Sequence, residues 1–253
     1  MNRAIILTGA NNGIGLAMAK GLIDLGDRVA GLDLSGENLS PLVAEFPDKI
    51  RYYPCDVTDP GHVQTAVDDA ARNWGEINIL INCACLALFK PYADRAPEDI
   101  RREFEVNYFG YLNLINAVLP YMRRQGKGVI HNFSSGVGIT GFPGLSGYTS
   151  TKGAIEALTH TLALEFADYG ITVNLMHPPL TRTKSASPLG IPLEMMADPE
   201  KVGIGLAKKV GKTNPVLTPD FISAFQMFFT YHFPIAMGRF LTSMMKRSKR
   251  TEK

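Results

Sequence analysis

Tyr148 and Lys152 are the first two residues whose types and spacing suggest chemistry. They lie four residues apart, so on a helix both side chains project from one face. An ammonium group near a phenol favours the phenolate and lowers the pKa of the tyrosine, which makes the phenol a proton donor and acceptor near neutral pH. The hydroxyl of Ser135 can polarise a carbonyl group held against Tyr148. The alternative is that Tyr148 merely begins a helix and that Lys152 is a solvated surface residue.

A glycine-rich turn, T-G-A-N-N-G-I-G at positions 8–15, is the second chemical feature. It follows a short apolar run that predicts a buried strand, and it precedes residues 16–23, whose periodicity predicts a helix. Unpaired backbone N–H groups and the helix dipole at such a helix start form a site for a phosphate group. Glycine at positions 9, 13 and 15 leaves room for a pyrophosphate and for close packing of the helix on the strand. The alternative is an ordinary tight connection.

Asp33 ends the second predicted strand, about 20 residues after the glycine-rich turn. A carboxylate in this place can accept hydrogen bonds from a ribose 2′-hydroxyl and would repel a 2′-phosphate. Positions 9–19 and 34–48 contain no lysine or arginine that would attract such a phosphate. The sequence therefore predicts NAD(H) as the cofactor rather than NADP(H), the alternative being that Asp33 is a turn or capping residue.

Composition restricts the class of protein. A chain of 253 residues with 45% hydrophobic content can bury one α/β core, and a net charge of +2 gives no strong field for nucleic acid. The first strand begins close to Met1, which leaves no room for a signal peptide. Three cysteines are too few for a disulfide framework, so we expect a reducing cytoplasm. Cys83 and Cys85 lack partner ligands, so we expect buried small apolar residues and no metal site.

Strand-like and helix-like segments alternate along the chain, which predicts a doubly wound, Rossmann-type parallel sheet with helices on both faces. Residues 1–218 are expected to form one domain, with a substrate loop at about 178–198, and residues 219–253 a helical apolar extension. One long helix is expected over 97–124, one over 149–169, one over 199–211 and a last strand over 214–218. Ligands should collect at the carboxyl ends of the strands, where Ser135 and Asp33 lie.

The order and separation of these motifs resemble the short-chain dehydrogenase/reductase family over about residues 3–183. The glycine-rich turn matches the family's T-G-x-x-x-G-x-G loop, and the Y-x-x-x-K motif matches Tyr148 and Lys152. The resemblance implies hydride transfer at the nicotinamide C4. Tyr148 would exchange the proton with the substrate oxygen, which Ser135 would hold. Lys152 would bind the nicotinamide ribose and lower the pKa of Tyr148, and Asn107 would anchor a water in a proton relay. The implied catalytic residues are Asn107, Ser135, Tyr148 and Lys152.

The same resemblance implies the residues that bind the cofactor: Thr8, Gly9, Asn12, Gly13, Ile14, Gly15, Asp33, Asp56, Val57, Asn82, Tyr148, Lys152, Pro178 and Thr183. Of these, Asp56 would lie on the adenine side with Val57 beside it. The chain departs from the family pattern where Cys83 and Cys85 replace an asparagine and a glycine, and where Pro179 replaces a glycine. A Cβ atom at position 85 would narrow the site, and Pro179 would stiffen the loop on the nicotinamide side.

The C-terminal segment has a distinctive pattern. Residues 221–238 contain no charged side chain, but Pro234 interrupts them, so a membrane-spanning helix is not favoured. Four phenylalanines share one helical face, and a basic cluster follows at 246–250, a pattern that fits a helix lying on a membrane surface without requiring one. The alternatives are a helix pair that covers the active site and a subunit contact in a homodimer or homotetramer. The phenylalanines are Phe221, Phe225, Phe228 and Phe229.

Three functions remain open from the sequence. Apolar segments at 86–89 and 188–196 flank the expected site and favour an apolar secondary alcohol or ketone as the substrate. An acyl-chain ketone reductase that uses NADPH is the second function, which Asp33 disfavours. The third is a nucleotide-sensing protein that docks on membranes and has no turnover.

Overall fold

Seven parallel strands form a single sheet within the described part of the chain, in the order β3-β2-β1-β4-β5-β6-β7. The structure, a computed structural model, describes residues 2–189 and 191–251, with side chains described as far as Met244. Gly190 of the expected substrate loop, Met1 and residues 252–253 lie outside the described residues. The strands are β1 (Ala4–Thr8), β2 (Arg28–Asp33), β3 (Ile50–Pro54), β4 (Ile79–Asn82), β5 (Gly128–Phe133), β6 (Ile171–Met176) and β7 (Val216–Leu217).

The strand order reverses between β1 and β4, and this reversal opens a crevice at their carboxyl ends. Successive residues of β1 point to opposite faces of the sheet, so Ile5 and Leu7 belong to one buried cluster and Ile6 to the other. The predicted doubly wound sheet with helices on both faces is confirmed. The helices are α1 (Gly13–Asp24), α2 (Ser40–Glu45), α3 (Pro60–Trp74), α4 (Pro97–Phe104), α5 (Gly110–Gln125), α6 (Val137–Thr140), α7 (Ser146–Glu165), α8 (Pro199–Ala207), α9 (Phe221–His232) and α10 (Pro234–Thr251).

The long helix expected over 97–124 is interrupted by a π-helical turn, Glu105–Phe109, that joins α4 to α5. Asn107 lies within this turn, and its side chain is fully buried. Turns of this kind occur mostly as single insertions inside α-helices and often at functional sites. The hydrophobic pattern does not distinguish a π-helical turn from an α-helical one, so the prediction of an uninterrupted helix is wrong at this point.

Several element ends differ from the predicted ends. Helix α7 begins at Ser146, which puts Tyr148 in its first turn, and it ends at Glu165 before a short 3₁₀ turn. Gly170 then adopts a φ of 68°, a left-handed conformation that stops the helical path. Helix α8 ends at Ala207 rather than near 211, and β7 has two residues instead of five. The division between a domain at 1–218 and an extension at 219–253 stays a prediction.

His131, in the middle of β5, is a fully buried histidine that joins β5 to Asn174 in β6 and to the backbone of Gly211. The backbone N–H of Gly211 donates to its Nε2 atom at 3.0 Å, so the proton lies on Nδ1, which is 2.5 Å from the Asn174 side-chain oxygen. Burial lowers the pKa of His131 to about 4, against the opposing effect of the Asn174 hydrogen bond.

This burial predicts a loss of stability in mild acid. The unfolded chain takes up a proton at His131 near pH 6.5, whereas the folded chain does so only near pH 4. The contribution of His131 to stability is therefore complete above pH 6.5 and is lost as the pH falls toward 4. We expect a loss of about 2 kcal/mol between pH 7 and pH 5, measured by urea unfolding. His131→Gln should be less stable at pH 7 but should flatten this dependence, and an unchanged slope in that variant would contradict the assignment.

Candidate active site

The glycine-rich loop at 8–15 connects β1 to α1 and lies at the crevice. Gly9 and Gly13 adopt φ values of 67° and 53°, the left-handed region that favours glycine. A Cβ atom at Gly9 would lie 2.9 Å from Ala84 Cα, and one at Gly15 would lie 2.0 Å from the Gly9 carbonyl oxygen. The predicted reason for glycine at these positions, close approach of backbone, is therefore visible within the loop itself.

The start of α1 keeps its backbone donors available for a ligand. Asn12 is the N-cap residue, and its side chain makes no capping hydrogen bond to the first turn, which begins at Gly13 and Ile14. The open N–H groups and the helix dipole at this end favour a phosphate group. Thr183 lies above the same turn, because a Cβ atom at Gly13 would stand 3.0 Å from Thr183 Cγ2. The loop and the segment after β6 thus form a cradle that a side chain at position 13 would fill.

Gly15→Ala tests this cradle. The added methyl group would force the 2.0 Å contact apart, so we expect dinucleotide binding to weaken at least about tenfold, with a loss of stability of about 1–3 kcal/mol. Gly75→Ala is the matched control, since Gly75 has a φ of 77° but nothing within 4 Å of the added atom. That variant should lose about 1 kcal/mol of stability and keep its affinity. Fluorescence titration measures the affinity of each variant for the cofactor, and urea unfolding measures its stability. Unchanged affinity in Gly15→Ala would contradict the assignment.

Asp33 stands at the carboxyl end of β2, and its Oδ2 atom accepts a hydrogen bond from the Asn11 backbone N–H at 3.0 Å. The side chain of Asn11 is buried and bonds three groups of the β2–α2 connection: its oxygen accepts from the N–H groups of Asn38 and Leu39, and its nitrogen donates to Ser35 Oγ. Asn11 therefore fixes the position of Asp33 relative to the glycine-rich loop. Sequence reasoning missed this role, because Asn11 and Asn12 look equivalent until the loop geometry separates them.

Thr8 and Asn82 join the ends of the two central strands. Thr8 Oγ1 accepts hydrogen bonds from the N–H groups of Cys83 and Ala84, both at 3.0 Å. The Asn82 side-chain nitrogen donates to Asn132 at 2.9 Å, while its side-chain oxygen is buried without a partner. A buried acceptor without a donor is rare and needs an explanation such as a ligand. This orphaned oxygen and the glycine cradle both fit a bound dinucleotide at the crevice.

The remaining cofactor candidates lie at the same edge of the sheet but are less closely connected. Asp56 follows β3, and its Oδ1 atom accepts from the N–H and hydroxyl groups of Thr58 at 2.9 and 2.8 Å, which folds the turn before α3. Val57 is buried against Gly110, where a Cβ atom would lie 2.8 Å from its Cγ2. Pro178 comes shortly after β6. Contact of these three residues with a cofactor stays a prediction.

Lys152 is buried beneath Tyr148 at the end of β5. Its Nζ atom donates to the Phe133 carbonyl oxygen at 2.8 Å and to the Tyr111 hydroxyl at 3.3 Å. It lies 5.7 Å from the centre of the Tyr148 ring. Ser135 comes two residues after Phe133 and forms a hydrogen bond with Tyr148. The structure thus brings the predicted serine, tyrosine and lysine together at the carboxyl edge of the sheet.

The predicted lowering of the Tyr148 pKa by Lys152 is wrong for this arrangement. Burial raises the pKa of Tyr148 well above its ordinary value, Cys85 adds to the rise, and the hydrogen bond with Ser135 acts against it. Burial also lowers the pKa of Lys152. The physical reason is that burial disfavours the charged form of both groups, while the Lys152 ammonium is directed to the Phe133 carbonyl rather than to the phenol.

Asn107 joins the loop after β4 to helix α7 through side-chain hydrogen bonds. Its side-chain oxygen accepts from the Leu86 N–H at 2.7 Å, and its nitrogen donates to the Leu86 carbonyl at 2.8 Å and to Thr151 Oγ1 at 3.1 Å. Thr151 precedes Lys152 and donates to the Tyr148 carbonyl at 2.7 Å. Asn107 therefore positions the helix that carries both catalytic candidates. Its role in a proton relay stays a prediction.

A buried ion pair between Arg95 and Glu103 stabilises the same region, and no sequence motif predicted it. Both side chains are fully buried, and Glu103 also accepts from the Leu88 N–H at 2.8 Å. A Cβ atom at Gly147 would lie 1.9 Å from Glu103 Oε2, so glycine is required immediately before Tyr148. Removing one partner of such a pair leaves an uncompensated buried charge, which typically costs about 3–5 kcal/mol. An arginine and a glutamate eight residues apart match no motif.

A second buried polar cluster, also missed, joins α7 to the C-terminal helices. Glu156 lies one turn after Lys152, and its carboxylate is 2.9 Å from His177 Nε2 and accepts a hydrogen bond from the Tyr231 hydroxyl at 2.7 Å. Burial raises the pKa of Glu156, but His177 and the hydroxyl groups of Ser134 and Tyr231 outweigh it and hold the pKa below its ordinary value. Tyr231 thus attaches α9 to α7, the helix that carries Tyr148 and Lys152.

The three cysteines do not share one environment. Cys55 is buried, whereas Cys83 is half-buried and Cys85 is exposed, so the prediction that Cys83 and Cys85 are buried apolar residues is wrong. Cys85 lies close enough to Tyr148 and Lys152 to affect the pKa of both. Among the residues that the structure describes, no group of three or more histidine, cysteine, aspartate or glutamate side chains could hold a metal ion.

Comparison with known proteins places this site in a family. A family model described as short chain dehydrogenase matches residues 3–191. A 2-(R)-hydroxypropyl-CoM dehydrogenase of Xanthobacter autotrophicus is 36% identical over 190 residues, covering 72% of this chain and 76% of the relative. A 3-alpha-(or 20-beta)-hydroxysteroid dehydrogenase of Mycobacterium tuberculosis is 33% identical over 183 residues, covering 72% and 70%. A solved short-chain dehydrogenase from Streptomyces avermitilis superimposes with a TM-score of 0.80 at 27% identity, covering 100% of this chain and 99% of that one.

The matched stretch begins before the glycine-rich loop and ends after Thr183, so it contains every candidate site residue named above. A doubly wound sheet with a serine, a tyrosine and a lysine at this edge is the architecture of a dinucleotide-dependent oxidoreductase. The chain belongs to the short-chain dehydrogenase/reductase family, as the resemblance of its motifs predicted.

Proposed function

We propose that this protein transfers hydride between NAD(H) and an apolar secondary alcohol or ketone. The observation that carries the proposal is the convergence of Ser135, Tyr148 and Lys152 beside the glycine cradle, at the carboxyl edge of one sheet. A bound nicotinamide supplies or accepts the hydride. The protein's own residues orient the substrate and move the proton that accompanies it.

Tyr148 holds the transferable proton at its hydroxyl oxygen. Because burial favours the protonated phenol, the residue begins ketone reduction in the form that can donate. The Ser135 hydroxyl, bonded to the same phenol, is placed to donate to the substrate oxygen and to stabilise the negative charge that develops there. The Lys152 ammonium lies 5.7 Å from the centre of the Tyr148 ring, and its bond to the Phe133 carbonyl holds it there. In alcohol oxidation the same groups act in the opposite direction.

Two features support NAD(H) as the cofactor. The Asn11 N–H holds the Asp33 carboxylate at the end of β2, where it can accept from a ribose hydroxyl and repel a 2′-phosphate. Positions 34–48 contain no basic residue that would offset this repulsion. These features disfavour the NADPH-dependent reduction of acyl-chain ketones, the competing function within the same fold.

Apolar side chains around the site support an apolar substrate. The segment after β6 exposes Leu193 and Met195, which are 53% and 47% accessible, and α9 contributes Met227 beside the residue that follows Ser135. A Cβ atom on Gly136 would lie 3.7 Å from Met227 Sδ, so α9 packs against the residue next to Ser135. The hydroxysteroid dehydrogenase relative is named for an apolar alcohol, which agrees with this assignment.

The test is turnover of the purified full chain with a panel of cyclic alcohols, long-chain secondary alcohols and a hydroxysteroid, each offered with NAD and with NADP. We expect absorbance of the reduced nicotinamide to rise with NAD, and faster for the apolar alcohols than for polyols. Turnover only of β-ketoacyl thioesters with NADPH would replace the proposal with the competing function. Binding of NAD without turnover of any alcohol or ketone would leave a nucleotide-binding protein.

A further inference from the structure

Helix α9 carries its apolar side chains on the outside. Its buried residues include Ser223, Met227 and Thr230, two of which have hydroxyl groups. Its exposed residues include Phe221 at 82%, Phe225 at 57% and Phe228 at 53% accessibility. An ordinary surface helix shows the opposite arrangement, with the apolar stripe facing the core. The outer face of α9 therefore fits an apolar surface outside the described chain.

The exposed apolar surface continues along the segment that follows. Phe233, Ile235 and Phe240 are 54%, 70% and 57% accessible, and Pro234 starts α10 directly after α9. Scattered apolar residues are normal on a protein surface, but a contiguous group of this size marks an interaction site. We call the group the outer apolar face; its members are Phe221, Ile222, Phe225, Phe228, Phe233, Ile235 and Phe240.

Charge indicates which surface this face would meet. Five of the 26 basic residues of the chain and none of its 24 acidic residues lie between positions 221 and 251, so the rest of the chain is net negative. Four of the five stand at 246–250, immediately after the outer apolar face in sequence; their side chains lie outside the described residues. Apolar residues next to basic ones match an anionic lipid surface. The apolar side chains would enter the acyl region, and the anionic headgroups would attract the basic side chains.

We propose that the outer apolar face of α9 and α10 docks on the surface of an anionic lipid bilayer, with both helices lying in the interface. No helix in the described part of the chain has the length and apolar content of a membrane span. A second copy of this chain is the alternative occupant of this face, and the experiments below distinguish it from a bilayer. Tyr231 holds the inner side of α9 on Glu156, so the docked helix stays joined to the body.

Vesicle flotation of the full chain tests this proposal without any turnover, so its outcome is separate from that of the proposed function. We expect binding to phosphatidylcholine vesicles containing phosphatidylglycerol, weakening as salt rises, and little binding to pure phosphatidylcholine vesicles. The double variant Phe225→Asp/Phe228→Asp should bind at least about a hundredfold more weakly, since each phenylalanine contributes about tenfold or more. Tyr92→Asp is the matched control, because Tyr92 is 75% accessible and lies outside the face.

Equal binding by the double variant and the wild type would overturn the proposal, as would absence of binding to anionic vesicles at low salt. Sedimentation velocity tests the second-copy alternative. If the wild type is a dimer that the double variant dissociates, and neither binds vesicles, the face is a subunit contact. The substituted positions are exposed, so both variants should keep the wild-type melting temperature. A variant that replaces the four basic residues at 246–250 with serine leaves the described core untouched and should lose the preference for anionic lipid.

Discussion

Tyr148→Phe is expected to abolish turnover while leaving dinucleotide binding intact. The substitution keeps the ring and its packing but removes the hydroxyl that would exchange a proton with the substrate oxygen. A positioned acid or base contributes about 10²–10⁴-fold to the rate. We expect kcat to fall about a thousandfold or more, with the dissociation constant of NADH changed less than about threefold.

Tyr111→Phe is the matched control for this experiment. The Tyr111 hydroxyl also touches Lys152 Nζ, at 3.3 Å, but Tyr111 is fully buried and belongs to the helix behind the site. Its removal should lower kcat much less than removal of the Tyr148 hydroxyl. Steady-state kinetics and fluorescence titration measure both variants side by side. Activity retained in Tyr148→Phe, or an equal loss in Tyr111→Phe, would refute the assignment of Tyr148 as the acid and base.

Asp33→Asn is expected to shift cofactor preference toward NADP. The amide keeps the shape of the side chain and an oxygen that can accept from the Asn11 N–H, but it removes the negative charge that would face a 2′-phosphate. Hydrogen bonds to a charged acceptor contribute about 1.5–3 kcal/mol, so their weakening lowers the affinity for NAD while the loss of repulsion raises that for NADP. We expect the ratio of kcat/KM for NAD over NADP to fall about a hundredfold.

The control for this variant is Asp48→Asn, which removes the same charge from an exposed position beyond α2. Its cofactor ratio should remain that of the wild type. Measuring kcat/KM with both cofactors for all three proteins separates a local effect from a change in net charge. A wild-type enzyme that already prefers NADP, or an Asp33→Asn variant with an unchanged ratio, would show that Asp33 does not select the cofactor.

Local patterns predicted the parts of the site that depend on neighbouring residues. The glycines at 9, 13 and 15 could be interpreted because their function is a property of one turn, and Tyr148 and Lys152 because a helix fixes residues four apart on one face. The pKa of Tyr148 could not be predicted in the same way. The direction of that pKa shift depends first on burial and then on Cys85, which lies 63 positions away in the sequence (148 − 85).

Contacts between distant parts of the chain account for the rest. Tyr231 meets Glu156 across 75 positions, and the sequence contains no pattern that joins them. The four phenylalanines at 221–229 were correctly expected to share a helical face, but periodicity alone does not say whether that face turns inward or outward. The π-helical turn at Glu105–Phe109 has no propensity signal that separates it from a regular helix.

That π-helical turn also determines how this stretch of the chain would respond to a deletion. The turn joins α4 to α5 with five residues. Glu103 before it, Asn107 within it and Tyr111 after it are all fully or almost fully buried. Each residue of an α-helix turns the chain by about 100°. Because a π-helical turn is a single insertion inside an α-helix, deleting one residue here would return the stretch to a regular helix and shift Asn107 relative to the ion pair of Glu103 with Arg95. Such a deletion is therefore expected to remove the π-helical turn and to weaken the hydrogen bonds of Asn107 with Leu86 and Thr151.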